Sequence, residues 1–257
     1  MFIPTKIAHL PVIWELRKLT LYGWSLLKAM FSFGSIYIVF DSIVVFPVWW
    51  KYLQKKNEPL KNDYPWITFK AERFLRKMLR KDMVVFEYGS GSSTLYFSRR
   101  VAQVFSIEHH SGWLENLRQV LHEQAIQNVD CRLIEPETLT ENQATGYLSH
   151  HHLYKNKSFE SYVKSIDTFP GGYFDLVMID GRARTGCIAH AKNKIKQGGY
   201  LVVDNSERAY YFDGNDFLLK EKEWKSLHFI GPTPYTFGLS KTSIFQKLKQ
   251  DHHVATP

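Results

Sequence analysis

The chain has 257 residues, of which 44% are hydrophobic, and a formal net charge of +8. That length and composition exclude a disordered or fibrous chain and allow one large domain with an appendage. Two cysteines, Cys131 and Cys187, exclude a disulfide framework or a zinc pattern, and their strand-like and helix-like surroundings predict buried thiols in a reducing compartment.

The charge is uneven. Residues 1–82 hold 14 Lys and Arg against 6 Asp and Glu, so the whole excess belongs to the N-terminal third. This argues against nucleic acid as a partner of the catalytic body and points to an anion-seeking front end. The start of the chain lacks the compact apolar core and small-residue cleavage site of a signal peptide.

Residues 1–62 read as a basic, aromatic-rich helical extension carrying Trp14, Trp24, Phe31, Phe33, Trp49 and Trp50. Within it, residues 29–50 contain one charge, Asp41, and one proline, Pro47. The length could cross a bilayer, but an acid near the centre costs about 2.5–3.5 kcal/mol on insertion scales. Lys51, Lys55 and Lys56 after Trp49 and Trp50 suit peripheral contact with anionic lipid. The expectation is therefore a packing element or a membrane-surface contact rather than a span, on a cytoplasmic protein that could sit at the inner face of a membrane. "NEPLKNDYP", residues 57–65, has the turn chemistry of a linker. The catalytic domain is placed at 63–250 and a tail at 251–257.

From there the pattern becomes regular. Ile67, Ala71, Phe74, Leu75 and Met78 fall at helical spacing, predicting a helix over 66–80. "MVVFEYG" reads as a buried strand, 92–100 as a helix, "VAQVFSIE" as a strand and 112–127 as a helix with Leu117, Val120 and Leu121 inward. "VDCRLIE" is a strand, followed by a polar insert with His150, His151 and His152. "FDLVMID" is a strand, 187–196 a helix and "GGYLVVDN" a strand, and "SLHFIG" and "SIFQKL" close the chain around "PTPYTFG". Strands alternating with helices predict a Rossmann-like α/β fold, with a seven-stranded, mostly parallel sheet and helices on both faces. The last two strands have no room for a crossover helix, so they are expected as an antiparallel hairpin.

In such a sheet, ligands bind at the carboxyl ends of the strands. Those ends read Glu87-Tyr88-Gly89-Ser90-Gly91-Ser92, Glu108-His109-His110, Glu135, Asp180-Gly181 and Asp204-Asn205, an acid at every one. Gly89 and Gly91 would let the backbone turn sharply against a ligand. A dinucleotide site would want a third glycine where Thr94 stands, and Glu87 would repel a pyrophosphate; a carboxylate there suits a cationic ligand. Glu108, at the next strand end, is placed to accept hydrogen bonds from ribose hydroxyls.

Glu87-x-Gly89-x-Gly91, followed by Glu108, Asp180 and Asp204, resembles the class I S-adenosylmethionine-dependent methyltransferase family over roughly residues 66–248. The resemblance implies that Glu87, Gly89, Ser90, Gly91 and Ser92 hold the amino acid end of S-adenosylmethionine. Glu108 would bind its ribose and Glu135 its adenine, with Trp113 a candidate for stacking and Asp180 also near the cofactor. The Asp-Pro-Pro-Tyr type of signature found in amino-directed nucleic acid enzymes is absent from the sequence. Asp180 with Asp204-Asn205 is similar to the divalent-metal triad of catechol O-methyltransferase-like enzymes, which implies Mg²⁺ or a related ion; turn and cap chemistry explains the same residues without a metal.

Asp180, His109 or His110 could serve as the base for an acceptor hydroxyl. Arg182 and Arg184 could clamp a carboxylate or phosphate or be solvated loop charges, and His150–His152 read as loop residues with a general-base role open to them. The leading expectation is a methyltransferase directed at an oxygen of a small molecule or glycan. Against it stand an NAD(P)-dependent Rossmann oxidoreductase and a membrane-attached, non-catalytic binding protein of the same fold.

Overall fold

The computed structural model describes residues 11–33, 37–54, 59–139 and 145–249. Seven strands form its main sheet: β1 (Val84–Tyr88), β2 (Gln103–Glu108), β3 (Val129–Leu133), β4 (Phe174–Ile179), β5 (Ile195–Val203), β6 (Trp224–Pro232) and β7 (Leu239–Lys247). Their spatial order is β3-β2-β1-β4-β5-β7-β6. The first five are parallel and β7 runs antiparallel to both β5 and β6, as the missing crossover demanded. The order reverses between β1 and β4, so the switch point lies where Glu87 and Asp180 end their strands.

The helices are α1 (Pro11–Phe33), α2 (Tyr37–Leu53), α3 (Phe69–Met78), α4 (Ser92–Ser98), α5 (Ser111–Glu123), α6 (Glu160–Lys164) and α7 (Arg184–Ala191). Alternation along β1 divides the core. Phe86 and Tyr88 join the cluster holding Phe159, Tyr162, Val163 and Cys187, whereas Val85 joins Ile67, Ala71, Leu75, Tyr96 and Phe97. Glu87 shares the face of Val85, which aims its carboxyl under α4. Cys187 is buried as expected, while Cys131 is only half-buried.

No described helix is long and apolar enough to cross a membrane. The end of α2 packs on the body instead. Trp49 is fully buried, stacks on Tyr22 with ring centroids 4.0 Å apart, and donates from Nε1 to the Thr236 carbonyl at 2.8 Å. Of the packing element and the membrane-surface contact that the sequence allows, Trp49 takes the packing role, with partners near position 236 that lie too far along the chain for local pattern to reveal. Asp41 is paired with Lys70 of α3. Lys55, Lys56 and the 251–257 tail lie outside the described residues. Trp49→Ala should cost about 3–5 kcal/mol of packing and release α2, making cleavage near residue 54 faster in limited proteolysis; an unchanged digestion pattern would contradict this docking.

Candidate active site

At the end of β1 the chain enters Gly89 with φ +95, a conformation that side chains rarely adopt. A Cβ there would lie 2.8 Å from the Gly181 nitrogen, so the loops after β1 and β4 meet backbone to backbone. Ahead of this turn, Glu87 is fully buried. Its Oε2 accepts from Thr94 Oγ1 at 2.5 Å and Ser106 Oγ at 2.8 Å, whereas Oε1 has no protein partner. Thr94 Oγ1 also accepts from the Gly91 N–H at 2.9 Å. The residue that spoiled a dinucleotide pattern is thus the one that fixes the turn.

Burial pushes the Glu87 carboxyl up from 4.5 to about 7, against the lowering effect of the neighbouring Ser93, Thr94 and Ser106 hydroxyls. A carboxyl raised by folding stabilises the fold fully below its unfolded value and loses that contribution as pH rises through the folded one. Glu87→Gln should therefore gain stability over the wild type between about pH 5 and pH 8 in denaturant titrations. A difference that does not vary with pH would mean that Glu87 titrates normally.

The neighbouring acid behaves oppositely. Glu108 Oε1 accepts from the His109 and His110 N–H groups, both at 2.8 Å, and Oε2 accepts from the Ser90 N–H at 3.1 Å. Burial raises this carboxyl, but the His109 ring and the backbone donors outweigh it and hold the group below its ordinary value. Trp113 reaches back from α5, its Nε1 donating to the Ser90 carbonyl at 2.7 Å and its ring 3.7 Å from where a Gly91 Cβ would stand. Glu87, the Gly89–Gly91 turn, Ser90, Glu108 and Trp113 therefore form one contiguous shelf, with Ser92 buried at the start of α4. Glu135 is exposed just beyond β3, where the Ile134 N–H is bonded to the Glu108 carbonyl at 2.8 Å.

The histidines expected as bases are engaged. His110 caps α5, its Nδ1 accepting from the Trp113 N–H at 3.1 Å. In a neutral ring this leaves the proton on Nε2, so His110 offers no free basic nitrogen. His109 lies under the insert, with Nε2 3.0 Å from the Tyr154 hydroxyl and Nδ1 2.8 Å from Glu108. Both rings are thus tied to neighbours on the Glu108 side of the site.

On that side Arg184 is buried and binds the strand ends together. It donates to the Gly181 carbonyl at 3.0 Å, the Asp204 carbonyl at 2.5 Å and the Asp180 carbonyl at 2.9 Å, and pairs with Asp180 Oδ1 at 2.8 Å. It is neither a solvated loop charge nor a ligand clamp. Asp180, Asp204 and Asn205 do border one cavity of about 440 Å³, with Trp66, Thr233, Thr236 and Ser240. Each, however, already has a protein partner: Asp180 has Arg184, Asp204 Oδ1 accepts from Thr242 at 2.7 Å, and Asn205 donates to Ser240 at 3.0 Å. A guanidinium supplies the positive charge that a divalent ion would have brought. Among the described residues no group of three His, Cys, Asp or Glu converges on a metal position. In this structure the residues of the expected Mg²⁺ triad serve as ion pair, buried hydrogen-bond acceptor and turn.

No family model and no curated protein matches the sequence. Solved structures do. A Streptococcus mutans protein assigned to the methyltransferases, in complex with SAH, superposes with a TM-score of 0.50 and 12% identity over 70% of this chain and 96% of that one. An rRNA methylase from Streptococcus thermophilus gives 0.51 and 12% over 70% and 95%. The cofactor-bound Rv0187 from MTB gives 0.50 and 15% over 72% and 82%. The chain has the class I methyltransferase fold.

Proposed function

We propose that this chain is an S-adenosylmethionine-dependent methyltransferase acting on an oxygen of a small molecule or glycan. The observation that carries the reading is the buried Glu87 carboxyl, whose Oε1 lacks a protein donor beside the left-handed Gly89. A cationic amino group is the ligand such an oxygen calls for. Glu87 and the turn would hold the amino acid end of the cofactor, and Glu108 Oε2, with one protein donor, retains capacity for a ribose hydroxyl.

When bound, the cofactor supplies an electrophilic methyl on a sulfonium that leaves as a neutral thioether. The protein's work is to align the acceptor oxygen with that methyl and to take up its proton. Asp180 is the residue for the second task, because it lies at the switch point and its side chain is 27% exposed. Burial raises its carboxyl above the ordinary range, opposed by Arg184. That favours proton uptake over a normal aspartate.

Calorimetry with S-adenosylhomocysteine tests the reading. Binding is expected to tighten as pH rises through about 7, because the ligand's ammonium favours ionised Glu87. Absence of binding would remove the function, binding of NAD(P) in its place would install the oxidoreductase, and binding without methyl transfer to any acceptor would leave a non-catalytic protein.

A further inference from the structure

Beside the Asp180 cavity, a smaller one of about 120 Å³ opens beyond the end of β4, lined by His150, His151, Arg182, Arg208 and Tyr210 around the Gly181 backbone. We infer that this cavity binds an oxyanion, a carboxylate or phosphate, carried by the methyl acceptor. This deepens the proposed function and rests on it.

The cavity's charge is one-sided. Among the described residues neither Arg182 nor Arg208 is in an ion pair with a carboxylate. Arg182 Nε is buried without a hydrogen-bond partner, a donor position that a protein normally fills. Arg208 donates to the Tyr211 hydroxyl at 2.7 Å, which steadies the guanidinium at the rim.

The nearby acids have hydrogen-bond partners elsewhere. Asp180 is held by Arg184, and Glu207 accepts from Ser240 Oγ at 3.3 Å and the Lys241 N–H at 2.9 Å. His150 packs tilted against Tyr210 with ring centroids 4.1 Å apart, so His150 and His151 of the histidine run form one wall. The volume holds one oxyanion with a few waters and is too small for a nucleotide. Two guanidiniums recognise carboxylate or phosphate through paired N–H donors. Since Asp180 and Gly181 are adjacent, an anion held here leaves its attached group next to the proposed base.

The test is binding of inorganic phosphate and of acetate to the full chain saturated with S-adenosylhomocysteine, read as the shift in melting temperature at constant ionic strength. Both the wild type's shift and its loss in Arg182→Gln and Arg208→Gln are expected, with a tenfold or greater rise in the anion's apparent Kd. S-adenosylhomocysteine affinity should stay unchanged in both variants. A larger response to phosphate assigns a phosphorylated acceptor, and a larger response to acetate a carboxylated one. If S-adenosylhomocysteine binds but neither anion shifts the wild type, or the variants respond equally, the oxyanion site is overturned while the methyltransferase reading stands. If anions bind and S-adenosylhomocysteine does not, the acceptor role falls with that reading.

A separate observation concerns the N-terminal helices. Tyr37, Phe40, Val44 and Val48 recur along one side of α2, and Phe31 and Trp24 along the outer side of α1; Phe31 is 80% exposed and Tyr37 75%. These stripes lie opposite Tyr22 and Trp49, which face the protein. The geometry points to a bilayer surface rich in anionic lipid as their occupant. Exposed Lys28 and Lys51 lie on these two helices, while the acid of α2, Asp41, is neutralised by Lys70.

Co-sedimentation with vesicles should show binding to phosphatidylglycerol-containing membranes that weakens in high salt, little binding to pure phosphatidylcholine, and loss in a Phe31→Ser, Phe40→Ser double variant that retains its melting temperature. Failure to bind either vesicle, or a concentration-dependent dimer abolished by the same variant, would overturn it.

Discussion

Glu108→Ala should weaken S-adenosylhomocysteine binding by about 1.5–3 kcal/mol, the range for a hydrogen bond to a charged group, or roughly tenfold to 150-fold in Kd. The same carboxylate accepts backbone N–H groups from Ser90, His109 and His110, so the turns after β1 and β2 are joined through it. Its loss strips three donors of their acceptor, and a fall in melting temperature should accompany the loss of affinity. Glu108→Gln keeps oxygen on one side only and should fall between. Unchanged affinity in a folded Glu108→Ala protein would place the ribose elsewhere.

Gly181→Ala should destabilise the fold by about 3 kcal/mol, at the upper end of the range for overpacking. The new Cβ would stand 1.9 Å from the Tyr162 hydroxyl and 3.1 Å from the Gly89 nitrogen. Tyr162 cannot swing aside, because it is fully buried among Tyr88, Phe159 and His109. Removing the hydroxyl with Tyr162→Phe should recover part of the loss in the double variant, a coupling expected only of groups in contact. Urea midpoints of the four proteins, at matched slopes, measure it. Additive losses would show that the clash is relieved by movement of the loop.

The central parallel strands β1 and β4 were legible because burial on both faces makes them nearly unbroken apolar runs, and the chain places an acid at or just beyond the end of each parallel strand. Helix ends were less so: the helix expected over 112–127 runs over Ser111–Glu123, and that over 187–196 starts at Arg184. The short α6 and its Tyr162 lay hidden in the polar insert. Ser106 escaped notice, and the bonds made by Thr94 and Arg184 were not readable, because these roles are set by what the residues touch across strands, which no local periodicity encodes. The cap made by His110 and the docking partners of Trp49 were hidden for the same reason. An exposed-looking polar or aromatic residue became a helix cap in one case and a buried plug in the other.

Thr236 is a residue of the hairpin loop between β6 and β7, and it serves two neighbours. Its carbonyl receives the Trp49 indole at 2.8 Å, and the residue also borders the cavity containing Asp180 and Asp204. Any shortened version of the protein that begins after α2 would therefore lose a wall support of that cavity along with its front end. The loop carbonyl would pass to solvent, and Phe237, which meets Trp49 edge-on, would be uncovered beside it. The seemingly detachable helices are a buttress for the cavity at the ends of β4 and β5.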